Sequence, residues 1–191
     1  MKIAIVSDIH ADAKALKRVF DDLPSVDRVL CAGDAVSEFR FCPDTVDLLR
    51  LANVQCIQGN HEHVLFEHNP GYLKRCQAEY APELLDMLAK APTTFELEAA
   101  GARLLMVHAT PWEPFAGYVH PGSGHLARIA KMDFEYVILG HTHVPMVEKA
   151  GNVTVINPGS CSQPRDQERR GSYAILDLAT GEATIHRLRL D

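Results

Sequence analysis

The sequence predicts an α/β fold in which two stacked β-sheets are flanked by helices. Three observations carry that prediction. Short apolar runs alternate with longer amphipathic ones in the first half, short strands joined at glycines crowd the second half, and metal-ligand residue types recur just after the apolar runs.

Ile3–Val6, Val29–Ala32 and Val54–Ile57 read as strands, with Ala13–Leu23 and Thr45–Ala52 as the helices between them. Such a β-α-β-α-β series gives a largely parallel sheet with helices packed on it. In the first helix Ala13, Leu16, Val19, Phe20 and Leu23 recur at three- and four-residue spacing, so one face is buried, and Pro24 marks the stop. The second opens at Pro43-Asp44, a start signal, and is expected to bury Val46, Leu49 and Leu51 or their neighbours. From Glu62 to about Lys90 the chain is helical in texture but polar and aromatic, with breaks at Asn69-Pro70-Gly71 and Pro82. One or two helices over the site mouth are expected there. After Pro92 the predicted strands are Thr94–Glu98, Arg103–Val107, Tyr136–Leu139, Val144–Glu148, Val153–Ile156, Tyr173–Asp177 and Thr184–Leu188, with a helix at about Ser123–Met132. Joins at Gly101, Gly151 and Gly181 suggest hairpins and therefore mixed sheets.

At 191 residues and 47% hydrophobic content, the chain can bury a sizeable core without disulfides, and residues 1–191 read as one domain. The N-terminal Met-Lys-Ile-Ala-Ile-Val lacks the regions of a signal peptide, and no apolar run reaches the ~18 residues that span a bilayer. A cytoplasmic protein with no membrane partner is expected. The five cysteines form no C-x-x-C pair and are odd in number, which argues for reduced thiols rather than a disulfide framework or a thiolate zinc site. With net charge −6 and no basic stretch longer than Arg169-Arg170, the footprint of a non-specific nucleic-acid binder is missing.

The chemistry lies in where the ligand-type residues fall. Asp8 and His10 follow the first strand, Asp34 the second, and Asn60 and His61 the third; His108 follows Leu104–Val107, and His141 and His143 follow Val137–Leu139. Loops leaving the carboxyl ends of parallel strands converge on one crevice, so five loops would bring carboxylate, amide and imidazole groups together. Gly33, Gly59 and Gly140 each precede a ligand, where positive φ or close backbone approach would turn the side chain inward. Taken singly, each piece has a blander explanation: an N-cap, a turn pair, a solvated histidine. Their conjunction in one chain, each at a strand end, does not.

These motifs, Asp8-Ile9-His10, Gly33-Asp34, Gly59-Asn60-His61-Glu62, His108 and Gly140-His141-Thr142-His143, resemble in order the series of the calcineurin-like metallophosphoesterases. The closing segments Asn157-Pro158-Gly159-Ser160 and Gln163-Pro164-Arg165-Asp166 are similar to those of the small bacterial phosphodiesterases of that superfamily. The resemblance implies a four-layer α/β/β/α sandwich carrying two divalent metal ions, one held by Asp8, His10, Asp34 and His143, the other by Asp34, Asn60, His108 and His141. A bridging carboxylate such as Asp34 suits a metal pair, and imidazole with oxygen but no sulfur suits Mn, Fe, Ni or Zn. The expected reaction is hydrolysis of a small-molecule phosphate ester, most simply a phosphodiester, by a metal-bridging hydroxide. His61 then protonates the leaving oxygen or, alternatively, orients a neighbouring ligand. Two ions would also offset the acidity that otherwise repels a phosphate. Arg165 is a candidate phosphate contact, unless it pairs with Asp166.

Two departures from the family pattern stand out: Ala109 follows His108 where glycine is common, and Glu62 stands where Asp is more frequent, leaving its partner open. Trp112, Phe115 and Tyr118 could wall a nucleoside pocket or simply pack their loop, and packing is the favoured reading. The competing function is a metal-binding scaffold for partner proteins, as the same fold serves in a retromer subunit. Completeness of the ligand set favours catalysis. An oxygen-activating di-metal protein is disfavoured because such sites are built on helix bundles.

Overall fold

In a computed structural model, residues 1–189 are described and form two mixed five-stranded sheets flanked by helices. The first sheet contains β1 (Lys2–Val6), β2 (Arg28–Cys31) and β3 (Gln55–Cys56), all parallel, and the antiparallel hairpin β9 (Ser172–Asp177)–β10 (Glu182–Arg187), in the order β10-β9-β1-β2-β3. The second contains β4 (Thr94–Ala99), β5 (Ala102–Val107), β6 (Tyr136–Ile138), β7 (Met146–Ala150) and β8 (Val153–Asn157), in the order β4-β5-β6-β8-β7. Here β5, β6 and β8 run parallel, while β4 and β7 are antiparallel edges. All three glycine joins close hairpins, as expected.

The central strands are apolar on both faces because both faces are covered. Ile3 and Ile5 of β1, Leu30 of β2, Leu104 and Met106 of β5, and Tyr136 and Ile138 of β6 point into the space between the sheets. The alternate residues Leu105, Val107, Val137 and Val155 point outward beneath α6 (His125–Ile129). On the far side, Val6 and Cys31 lie under α1 (Ala13–Asp22) and α2 (Pro43–Leu51), whose Leu16, Val19, Val46 and Leu49 are fully buried. Each such aliphatic side chain contributes about 1.5–3 kcal/mol on burial, which is what holds the layers in register.

Four expectations need correction. Leu51 is 74% exposed, since α2 turns Thr45, Val46 and Leu49 inward. β7 starts at Met146 rather than Val144 because Pro145 has no N–H for the ladder and Val144 donates instead to Thr142 Oγ1 (3.1 Å). α6 is shorter than Ser123–Met132. The region after Glu62 is a succession of α3 (Asn60–His63), a π-helical turn (Val64–His68), α4 (Pro70–Glu79) and α5 (Pro82–Ala89). Of these, α5 does not cover the site; its Leu84, Leu85 and Leu88 join the core beneath α1 and α2.

Candidate metal centre

The parallel strands of both sheets end on one side, and their loops meet there. Asp8 and His10 follow β1, Asp34 follows β2, Asn60 and His61 open α3 after β3, His108 follows β5, and His141 and His143 follow β6. All eight side chains predicted from the sequence come together. Asp8, His10, Asp34, His108 and His143 are buried, whereas Asn60, His61 and His141 are partly exposed towards the mouth.

The glycines divide between the two roles expected of them. The ligands themselves carry the left-handed backbone, with φ of 53° at Asp8, 50° at His10, 53° at Asp34, 67° at His141 and 59° at His143. Each such residue costs about 1–2 kcal/mol, and surrounding hydrogen bonds must impose it. They do: Ile9 and His10 N–H both donate to Asp34 O (2.8 and 2.9 Å), Asp8 N–H donates to Gly33 O (3.0 Å), and the Ser160 hydroxyl donates to Asp8 O (2.6 Å). Gly33 does take φ of 93°, but Gly59 and Gly140 are there for closeness: a Cβ on Gly59 would overlap Asp34 Oδ1, and one on Gly140 would overlap Ser7 Oγ.

Asp34 stands at the centre. Its Oδ2 is 3.2 Å from His108 Nε2, 3.9 Å from His10 Nε2 and 3.9 Å from His61 Nε2, while Oδ1 accepts the His61 backbone N–H (2.9 Å). On one side Asp8 Oδ1 faces His143 Nε2 (3.3 Å) and His10 Nε2 (4.0 Å); on the other, Asn60 Oδ1 lies 3.1 Å from His108 Nε2 and 2.8 Å from His141 Nδ1. The imidazoles are oriented from behind. Nδ1 of His108 lies 2.7 Å from Ala32 O and Nδ1 of His143 lies 2.7 Å from Gln163 O. A carbonyl only accepts, so each Nδ1 carries the proton and Nε2 is left to face the centre.

The electrostatics match a cation site. Burial holds His10 (about 3), His141 (about 4) and His143 (about 4) in the neutral form that ligates metal. Burial also disfavours an imidazolium at His108, but Asp34 outweighs it and raises that ring to about 10. At Asp34 burial is in turn outweighed by His108, which holds the carboxyl well below its ordinary value. Desolvation raises Asp8 to about 7, and its Oδ1, fully buried, has no hydrogen-bond partner. An orphaned carboxylate oxygen among neutral imidazoles is the donor chemistry a divalent cation satisfies. Asp8–His10–His143, His10–Asp34–His61 and Asp34–His108–His141 each bring their donor atoms within 4.8 Å of one another.

Three supporting residues carry roles the sequence left open. Glu62 is fully buried, and its carboxylate accepts N–H bonds from Asp34 (2.8 Å), Gly59 (2.8 Å) and Val36 (2.9 Å), so the longer side chain ties the Asp34 loop to the Asn60 loop. Asn157, at the end of β8, donates to Gly140 O (2.7 Å) and Thr142 Oγ1 (3.1 Å), and Ser160 fastens the Asp8 loop. Thus a sixth strand-end loop braces two of the five that carry the candidate ligands, those after β1 and β6. The signal for it was the run Asn157-Pro158-Gly159-Ser160 directly after a strand.

At the rim, Arg165 is exposed, its backbone N–H donates to His143 O (3.2 Å), and its charge disfavours protonation of His141 and His143. Asp166 pairs with Arg187, not with Arg165. Trp112 packs its loop, with Arg128 over its ring at 4.0 Å, and Phe115 stacks on His63 at 4.3 Å. Tyr118 departs from that packing role: it is 53% exposed, with its ring 4.5 Å from that of His141. All five cysteines are free thiols, and no helix among the described residues is long and apolar enough to cross a membrane.

Residues 1–181 match the model of the calcineurin-like phosphoesterase superfamily domain. A probable metallophosphoesterase of Methanothermobacter thermautotrophicus is 28% identical over 86% of this chain and 80% of its own length. A symmetrical bis(5'-nucleosyl)-tetraphosphatase of Paracidovorax citrulli is 32% identical, over 57% of this chain and 44% of its own length. Among solved structures, a metallophosphoesterase from Sphaerobacter thermophilus superposes with a TM-score of 0.79 at 26% identity, covering 100% of this chain and 90% of that one.

Proposed function

The chain belongs to the calcineurin-like phosphoesterase superfamily and is a hydrolase of phosphoric esters; from that premise we propose that it is a phosphodiesterase working at a dinuclear metal centre. The observation that carries the reading is Asp34, one carboxylate set between two complete donor groups. Asp8, His10, Asp34 and His143 would hold one divalent ion; Asp34, Asn60, His108 and His141 would hold the other. Ions of the Mn, Fe, Ni or Zn type bound there supply an acidified water and positive charge against the phosphoryl oxygens.

His61 is the general acid. Glu38 holds the ring at Nδ1, with its carboxylate at 3.5 Å and its backbone N–H at 3.3 Å, so Nε2 of the imidazolium is the N–H that faces Asp34 and the centre. A proton held at that atom can pass to the departing ester oxygen. Its backbone N–H also fixes Asp34, so the two roles expected of this residue coexist. Arg165 at the rim contacts a phosphate oxygen. The exposed Tyr118 ring offers a surface for the organic part of the ester. The tetraphosphatase relative is named for a dinucleoside compound, so a nucleoside-bearing substrate belongs among those tested.

The test is metal analysis of the purified protein together with hydrolysis of an aryl phosphodiester, an aryl phosphomonoester and a dinucleoside tetraphosphate. Two ions per chain with preferential diester turnover is the expected result. Faster monoester turnover overturns the diester assignment. No turnover with Mn, Fe, Ni, Zn or Mg overturns catalysis and leaves the partner scaffold.

A further inference from the structure

Beyond the metal centre, α1, the β8–β9 loop and the segment after β10 line a cavity of about 600 Å³. Six cationic side chains line it: Lys14, Lys17 and Arg18 from α1, Arg169 and Arg170 from the loop, and Arg189 beyond β10. The chain has 19 Lys and Arg residues against 25 Asp and Glu, so this is a concentration of positive charge against the overall sign. Among the described residues only one acidic side chain, Asp12, lines the cavity, and its carboxylate already caps α1 by accepting from Ala15 N–H (3.0 Å). Lys17 pairs with Asp21 on the helix surface, the Arg18 guanidinium donates to Arg189 O, and Arg170 is held against Leu188 O (2.9 Å). No ion pair engages Lys14, Arg169 or Arg189 among the described residues. Arg169 is moreover carried at φ of 50°, in a turn closed by its N–H to Asp166 Oδ1 (3.2 Å).

From this geometry we infer a second ligand site, separate from the metal centre, for a small anion bearing two or more phosphate groups. Its concave shape and size are those of a small-molecule pocket. A membrane or nucleic acid would need a broad basic surface, which the acidic chain lacks. Arg side chains on several elements suit bidentate contact with more than one phosphate. The site is also mechanically joined to the metal centre. Ser162 lines the cavity and donates to Ile9 O (2.9 Å), between Asp8 and His10, while Asp12 ends that same loop. An occupant would therefore bear on the loop that holds two metal ligands.

The experiment is calorimetric titration of the full chain with imidodiphosphate, whose P–N–P link resists hydrolysis. Saturable binding is expected, weakened by about tenfold or more in Lys14→Ala/Arg169→Ala, which removes two charged contacts, and retained in Asp34→Asn. Both altered side chains of the double variant are exposed, and an unchanged thermal melt confirms its fold. Three outcomes each overturn the proposal: no saturable binding, equal binding by the folded double variant, or binding lost in Asp34→Asn alone. Tighter binding of a mixed-sequence oligonucleotide or of anionic vesicles, lost in the same double variant, overturns the small-molecule assignment.

Discussion

The two sheets contribute unequally to the metal centre. Loops of the first sheet bring every candidate oxygen ligand, Asp8, Asp34 and Asn60, with the imidazoles of His10 and His61; loops of the second bring only imidazoles, His108, His141 and His143. Close contacts cross from sheet to sheet: His108 to Asp34 at 3.2 Å, His143 to Asp8 at 3.3 Å, His141 to Asn60 at 2.8 Å and His10 to His143 at 3.1 Å. Neither sheet can form either metal group alone. The apolar layer between them, Ile3, Ile5, Leu104, Met106 and Ile138 among others, is therefore what assembles the site, and catalytic geometry is bound to core packing.

The largest test of that comparison is Asp34→Asn, which weakens the one carboxylate shared by both groups. Loss of metal at both sites and a fall in turnover of about a thousandfold are expected, read by metal analysis and diester hydrolysis. Loss of one ion with the other retained would break the picture of a shared bridge. His61→Ala sharpens it from the other direction, because His61 lies at the mouth and meets no second-sheet ligand in the contacts described above. Both ions should stay while turnover falls by about a hundredfold or more, and an unimpaired rate would remove the acid role.

Glu62→Gln probes the tie within the first sheet. Its carboxylate receives three N–H bonds, and an amide cannot replace both oxygens, so metal affinity should fall by about tenfold to a hundredfold. Competition with a chelator measures that, and an unchanged affinity would mean that Asn157 and Ser160 suffice to hold the loops. The smallest effect is expected for Tyr118→Ala, whose exposed ring lies on His141. A rise in KM for an aryl diester of about tenfold, with kcat kept, corresponds to loss of one stacking contact of about 1–3 kcal/mol. A fall in kcat at constant KM would show instead that the ring positions His141.

Much of this was legible beforehand. Asp8, His10, Asp34, Asn60, His61, His108, His141 and His143 each follow an apolar run, and strand-end placement needs only local periodicity to be seen. Which atoms Gly59 and Gly140 make room for was not legible, since those atoms belong to other loops: Asp34 Oδ1 for the first, Ser7 Oγ and Asp8 Oδ2 for the second. Glu62 likewise stands out in its motif while its partners stay hidden. Its bonds to Asp34 and Val36 span 28 and 26 residues, beyond any local pattern.

By itself, the sequence determined the element types, the hairpins and which donor side chains stand at the strand ends, because strand alternation, turn chemistry and donor type are properties of neighbouring residues. Tertiary structure alone decided that Leu84, Leu85 and Leu88 enter the core rather than cover the site, that a sixth loop braces the centre, and that Lys14 and Arg169 share one cavity. Those outcomes depend on which faces meet when two sheets pack. Burial and distance across the fold set them, and no local spacing encodes either.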